Sequence, residues 1–485
     1  MSRARKFLFA SFGKNYIAIV LQLLSSVIIA RLLTPHEIGI FSVGIVLIGF
    51  AHTFRDSGST TYIIQEKELT TDKIRAAFAL TLISAWLLAL AIGLGSGYVA
   101  EFYHEPGVRS VMMVLSLNFL LLPFGSVPIA YMHRKMDFKY ITLVNIIPNI
   151  VSVAATIGFA YSGFSYLSMA WGSVSGTVCT ILLVQIWRSK ELPFLPGFKG
   201  IRNVFSFGML SNLVMILVDI SKGIPDLIIG RVAGMTVVGY FGRSMGLVSM
   251  FENLVMRSLW SVALPHFAEQ SRSGDSMKRN FLISMNYVTA LAGPFFACLG
   301  LLAHPVILVL YGEQWEPSVS LLRLLCLSSL ITSPFLFLGA MFSVTGKMKQ
   351  NVYFLSIHAS FVGALVLIAA YHGLDALGVA FIGINLVDSI IFFRQCRIVM
   401  GVRFLEIASV LRQSAGVTIA AVIPVLILLA WGEYFPLWNL WTELILGVVC
   451  SALGWTCGIF LFKHPLKKEI GASFLLARQL LGVAE

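Results

Sequence analysis

Apolar runs of 18 residues or more recur along this chain from end to end, and they narrow the fold before any motif is read. Inside hydrocarbon every backbone N–H and C=O must be satisfied within the protein. Runs of this length therefore imply spanning helices. Composition agrees: 12% of the 485 residues are charged and 58% hydrophobic, whereas a soluble domain carries about 25% charged residues. The expected class is an all-α polytopic membrane protein. Met1 to Lys6 is basic and leads into an apolar stretch ending near Leu33. That is too long for a cleaved signal peptide, so it reads as an uncleaved first span.

Spans of about 20 residues can be laid out in order. A first six-helix lobe (1–187) holds Ala10–Leu33, Ile38–Phe54, Ala76–Val99, Val111–Met132, Ile141–Tyr161 and Tyr166–Trp187. Residues 188–202, with Pro193, Pro196 and Gly197, form a cytoplasmic inter-lobe linker. A second lobe (203–400) holds Phe205–Gly230, Val237–Leu264, Leu282–Leu310, Val319–Val344, Val352–Tyr371 and Ala376–Phe393. Two extra C-terminal helices, Val410–Trp431 and Leu440–Phe462, precede a basic tail within 401–485 and bring the total to about 14.

Charge fixes the orientation. With a cytoplasmic N-terminus, 27 of the 35 Lys and Arg fall on the cytoplasmic side, and only Arg31, Arg109 and Arg231 fall opposite. The positive-inside rule then places both termini in the cytoplasm. The net charge of +12 is scattered through short links rather than massed on a domain, so it points to topology and not to nucleic acid. The six cysteines lie in or at the ends of apolar segments with no CxxC, as small packing residues rather than disulfides or metal ligands.

The lobes echo each other. Ile28–Phe41 and Ile228–Phe241 align without a gap, sharing both Ile, the Arg, the Gly and the Phe. Phe102-Tyr103 corresponds to Leu310-Tyr311, and Lys135-Met136 to Lys347-Met348, each with a proline (Pro123, Pro334) twelve or thirteen residues earlier. The halves are expected to be parallel repeats about an axis along the membrane normal. Arg31 and Arg231 then sit at periplasmic ends, as anchors of the two turns.

Arg31–Gly39 (Arg-Leu-Leu-Thr-Pro-His-Glu-Ile-Gly) resembles the first-loop signature of the polysaccharide-unit (Wzx-like) flippases. These belong to the multidrug/oligosaccharidyl-lipid/polysaccharide exporter (MOP) superfamily. Asp56-Ser57-Gly58 with Gln65-Glu66-Lys67, Arg134–Lys139, Asp226–Gly239 and Tyr311–Trp315 resemble further motifs of that family in the same order. The resemblance reaches to about residue 400. It implies a transporter of the bacterial inner membrane that flips an undecaprenyl-diphosphate-linked oligosaccharide by alternating access, for export of an exopolysaccharide, capsule or O-antigen. The partners it implies are that substrate, membrane lipids, a glycan polymerase and other export machinery.

Charges within spans are costly and mark cavities or partners. Asp219 and Lys222, i,i+3 on the seventh span and followed by Gly223 and Pro225, either neutralise each other or leave Lys222 facing a cavity. On the resemblance, Lys222, Arg257, Arg243 and Lys14 are candidate ligands of the substrate diphosphate, with snorkelling the alternative for Arg243 and Arg257. Asp219, Glu252 and Asp388 are candidates for ion coupling, Asp388 having Arg323 as an expected interhelical partner. Arg55 and Asp56, near His52, form either a gate network or a helix-end anchor.

Enzyme classes find little support. Walker A, HExxH, GxSxG and paired-Cys metal motifs are missing, and the nine His are scattered, so no cofactor or metal is expected. Periplasmic links of about 5–12 residues leave little room for the sugar chemistry of a membrane-embedded polymerase. The remaining alternative is a multidrug/cation antiporter of the related branch, which calls for an acidic, aromatic cavity with few central cations. Trp431, Trp438 and Trp441 fit an interfacial belt.

Overall fold

A computed structural model describes residues 21–55, 59–187, 195–199, 201, 213–256, 277–338, 348–434 and 439–467. Every regular element among them is helical. In chain order they are α1 (Leu21–Leu32), α2 (Pro35–Arg55), α3 (Ser59–Gln65), α4 (Thr71–Tyr103), α5 (Pro106–Leu121), α6 (Pro123–Arg134), α7 (Phe138–Tyr161) and α8 (Leu167–Ile186). Then follow α9 (Leu213–Val232), α10 (Met235–Phe251), α11 (Met277–Leu301), α12 (Ala303–Tyr311), α13 (Ser318–Thr332), α14 (Met348–Ala370), α15 (Leu374–Met400), α16 (Phe404–Tyr434) and α17 (Leu440–Leu461).

Ten of these are long and apolar enough to cross a membrane, and α5 with α6 makes an eleventh, bent by 51°. α1, α9 and α10 lie at the expected first, seventh and eighth spans. The chain is a multi-pass membrane protein. Its outward faces carry large apolar side chains, such as Leu94 at 70% and Leu405 at 78% exposure, as lipid contact requires.

Local chemistry sets the boundaries that hydropathy alone blurs. α2 starts on a capping box: Glu37 N donates to Thr34 Oγ1 at 3.3 Å, and Thr34 N donates to Glu37 Oε2 at 2.7 Å, with Pro35 at the first helical position. α4 starts where the Thr70 side chain accepts from Lys73 N. Its 33 residues span about 50 Å, well beyond a hydrocarbon core of about 30 Å. The stretch expected as a polar link between the second and third spans therefore contains α3 and the first turn of α4. The expected fourth span is divided at Leu122, where α6 opens with Pro123; a proline there cannot continue the hydrogen-bond ladder of α5. The ninth is likewise divided, at Leu302.

The described helices group into two compact units. One contains α1–α9, α14 and α10 up to Gly242; its fully buried side chains include Ile40, Ile48, Ile63, Leu115, Phe119 and Ile229. The other contains the rest of α10 with α11–α13 and α15–α17, buried around Phe251, Phe281, Met285, Trp315 and Leu321. By sequence α9 belongs to the second repeat, yet it packs along α2. In the second unit α16 and α17, the pair outside the duplication, pack on each other and α16 lies along α11.

Candidate functional site

α9 carries four charged residues, Asp219, Lys222, Asp226 and Arg231, in 20 residues. Asp219, Gly223, Asp226 and Gly230 recur at helical spacing and form one stripe. That stripe meets α2 and the end of α4. Thr53 Oγ1 on α2 donates to Asp219 Oδ2. A Cβ on Gly223 would stand 2.6 Å from Val46 Cγ1, and one on Gly230 2.9 Å from Val43 Cγ2, so the absence of side chains lets the helices close. Tyr103, the last residue of α4, donates its hydroxyl to the Leu227 carbonyl at 3.2 Å.

Lys222 sits about 60° round the helix from Asp219, at the flank of this stripe. It is exposed and makes no hydrogen bond or ion pair among the described residues. The neutralising Asp219–Lys222 pair is thus not formed; Asp219 instead accepts from Thr53. A lysine open to hydrocarbon at mid-span would cost about 3 kcal/mol or more, which a water-filled cavity removes. Asp226 was not singled out as a site residue by sequence. Its Oδ1 is buried with no hydrogen-bond partner among the described residues, and the only sequence sign was a third in-span charge directly after Pro225.

The other candidates are dispersed. Arg243, on α10, packs against two neighbouring aromatic rings, its Cζ 5.5 Å from the centroid of Tyr311 and 5.5 Å from that of Trp315. The Tyr311–Trp315 motif and this arginine therefore form one structural knot, tightened by Ser244 Oγ donating to the Ser318 carbonyl at 3.1 Å. Glu252 is exposed and opens a π-helical turn, Glu252–Met256, a form often found at functional positions. Asp388 is 4% exposed on α15, which packs along α13; Arg323 of α13 is exposed. Arg55 is part-buried at the end of α2, and one turn earlier His52 lies on Phe119 with ring centroids 4.4 Å apart. Lys14, Asp56 and Arg257 lie outside the described residues. Among the described residues no group of three His, Cys, Asp or Glu is placed to hold a metal.

Two of the remaining motifs meet each other. Arg134 at the end of α6 donates to the carbonyls of Ile63 (2.9 Å), Ile64 (3.4 Å), Glu66 (2.5 Å) and Lys67 (3.3 Å), closing the open C-terminal end of α3. Glu66 pairs with Lys73 at 3.0 Å, and that hydrogen bond holds its carboxyl below the usual carboxylate range.

Sequence comparison decides the family. The model of the polysaccharide biosynthesis protein family matches residues 28–320, more than half of the chain. The chain belongs to that family. The Escherichia coli lipopolysaccharide biosynthesis protein WzxC is similar to it, at 21% identity over 79% of each chain. So is the succinoglycan biosynthesis transport protein ExoT of Rhizobium meliloti, at 23% identity over 63% of this chain and 62% of ExoT. In structure this family member superposes on the lipid II flippase MurJ in an inward closed conformation, with a TM-score of 0.70 at 10% identity, covering 93% of this chain and 99% of MurJ. That likeness shows a shared fold.

Proposed function

We propose that this protein carries a lipid-linked oligosaccharide, an undecaprenyl-diphosphate-linked unit, across the bacterial inner membrane for polysaccharide export. The single observation that carries the reading is Lys222, an exposed mid-span cation without a partner among the described residues. Moving a diphosphate through low dielectric demands compensating positive charge, and a free lysine on a helix that breaks the apolar pattern supplies it. Family membership and a fold shared with a flippase support the same reading. The two sequence repeats act as lobes that alternate access, with both termini in the cytoplasm. The cycle runs by binding and release, without covalent chemistry.

In this scheme Arg257 and Lys14 add cation to the diphosphate path. Asp219, Glu252 and Asp388 are coupling candidates, and Arg55 with Asp56 gates the cytoplasmic end. Arg243 is better assigned to holding Tyr311 and Trp315 than to the substrate.

The test replaces Lys222 by Ala and by Arg in a strain lacking the native gene, scoring lipid-linked oligosaccharide retained in the cytoplasmic leaflet. The expected result is export reduced on the order of tenfold or more in Lys222→Ala, with partial recovery in Lys222→Arg, at equal protein levels. Normal export in Lys222→Ala rules out the diphosphate role.

A further inference from the structure

The two echoing turns touch, and they touch reciprocally. A Cβ on Gly39 would overlap the carbonyl oxygen of Met235, and a Cβ on Gly239 would overlap the carbonyl oxygen of Pro35. Gly39 corresponds to Gly239 and Pro35 to Met235 at the same 200-residue offset, so residue i of one copy meets residue j of the other, and j meets i. That is the pattern of an isologous, two-fold contact, here within one chain. Positions on the local axis face their own counterparts: Thr236 Oγ1 lies 3.5 Å from His36 Nδ1, and a Cβ on Gly242 would stand 3.8 Å from Ser42 Oγ.

We propose that Gly39 and Gly239 form the closing surface of the periplasmic end of the transport path, a contact made in one half of the cycle and parted in the other. The proposal rests on the function and orientation set out above. Its chemistry suits a reversible closure. With no side chain at either glycine the starts of α2 and α10 meet backbone to backbone, which excludes even a water-sized gap. What holds them is short-range Cα–H···O and dispersion contact, weak singly and lost within a small separation. Neither contact contains a buried ion pair that would have to be desolvated anew at each closure. The ion pair beside it, His36 Nε2 to Glu105 Oε2 at 3.1 Å, lies at the solvent edge with half of the His36 side chain exposed.

Two measurements on the full-length protein test this. In a background without the six native cysteines, His36→Cys is combined with Thr236→Cys, and membranes are treated with a short bifunctional thiol reagent. The expected result is efficient intramolecular crosslinking that lowers export at least tenfold and is reversed when the crosslink is cleaved. Failure to crosslink, or undiminished export by crosslinked protein, overturns the proposal. Separately, Gly39→Ala and Gly239→Ala, each with Thr236→Cys, are labelled by a membrane-impermeant maleimide. Each alanine is expected to raise labelling several-fold and to similar extents, and unchanged labelling of folded protein overturns the proposal. Labelling does not depend on the cargo. If the unmodified protein fails to restore export, the function reading falls while the closure is still read by this arm.

Discussion

Arg134 and Glu66 are joined by a 2.5 Å hydrogen bond from guanidinium to backbone carbonyl, between two of the sequence motifs that announce the family. A side chain that takes four carbonyls at a helix end does the work of a cap. Arg134→Ala leaves those carbonyls open and is expected to destabilise the protein by about 3 kcal/mol, since hydrogen bonds from charged donors contribute roughly 1.5–3 kcal/mol. Arg134→Lys keeps the charge but not the fork, and recovers only part. Thermal unfolding of the detergent-purified protein reads both; equal stability of wild type and Arg134→Ala would refute the capping role.

The Thr53–Asp219 hydrogen bond predicts a non-additive pair. Thr53→Val removes the donor and leaves a carboxylate in the helix interface, at a cost of roughly 2 kcal/mol. Adding Asp219→Leu removes the stranded acceptor, so the double variant is expected to be less destabilised than the sum of the singles. Strict additivity in the same unfolding assay would show that the two do not interact.

His464 supplies a pH dependence outside the membrane spans. It is 1% exposed, its Nε2 lies 2.5 Å from Asn286 Oδ1, and its Nδ1 accepts from Leu466 N at 3.2 Å. Both ring nitrogens are used by the neutral form, with Nε2 the donor to Asn286. Burial pushes the imidazole below its usual value of 6.5. The folded state thus resists the second proton more than the unfolded state does. This stabilisation is full above about pH 6.5 and declines as the pH falls. Melting temperature should drop between pH 7.5 and pH 5, and His464→Gln should flatten that slope; an identical slope in the variant would remove His464 as its source.

Arg243 separates structural from substrate roles. Arg243→Lys preserves the charge yet loses the delocalised guanidinium over Tyr311 and Trp315, at a cost of about 1–2 kcal/mol. The expected phenotype is lowered thermal stability with export per folded molecule unchanged. A selective loss of export at wild-type stability would return Arg243 to the diphosphate path.

The class and most helix positions were legible in the sequence because hydrocarbon imposes one rule on every span. The family was legible because its motifs sit at turns and caps, where local chemistry is short-range: Thr34 and Glu37 announce their own helix start. What hydropathy missed was polar or bent. The first turn of α4 is invisible to it because Thr70 and Asp72 are not apolar, although Thr70 is the cap. The site was less legible. Asp219 and Lys222 look like partners at i,i+3, but Thr53, 166 positions away, takes the carboxylate. The two turns looked like separate anchors, since nothing in a repeat says that its copies touch.

That contact bears on how such a chain can evolve. In a symmetric homodimer each substitution at a two-fold contact is suffered twice, so the interface is held to what both copies tolerate. Fusion of the copies lifts the constraint, and the turns already differ. One starts its helix with the Thr34–Glu37 box and a histidine that reaches Glu105, the other with Gly234 at φ +90° and an uncharged Thr236. The backbone approach keeps its two-fold form, while the side chains around it are free to differ between the two turns.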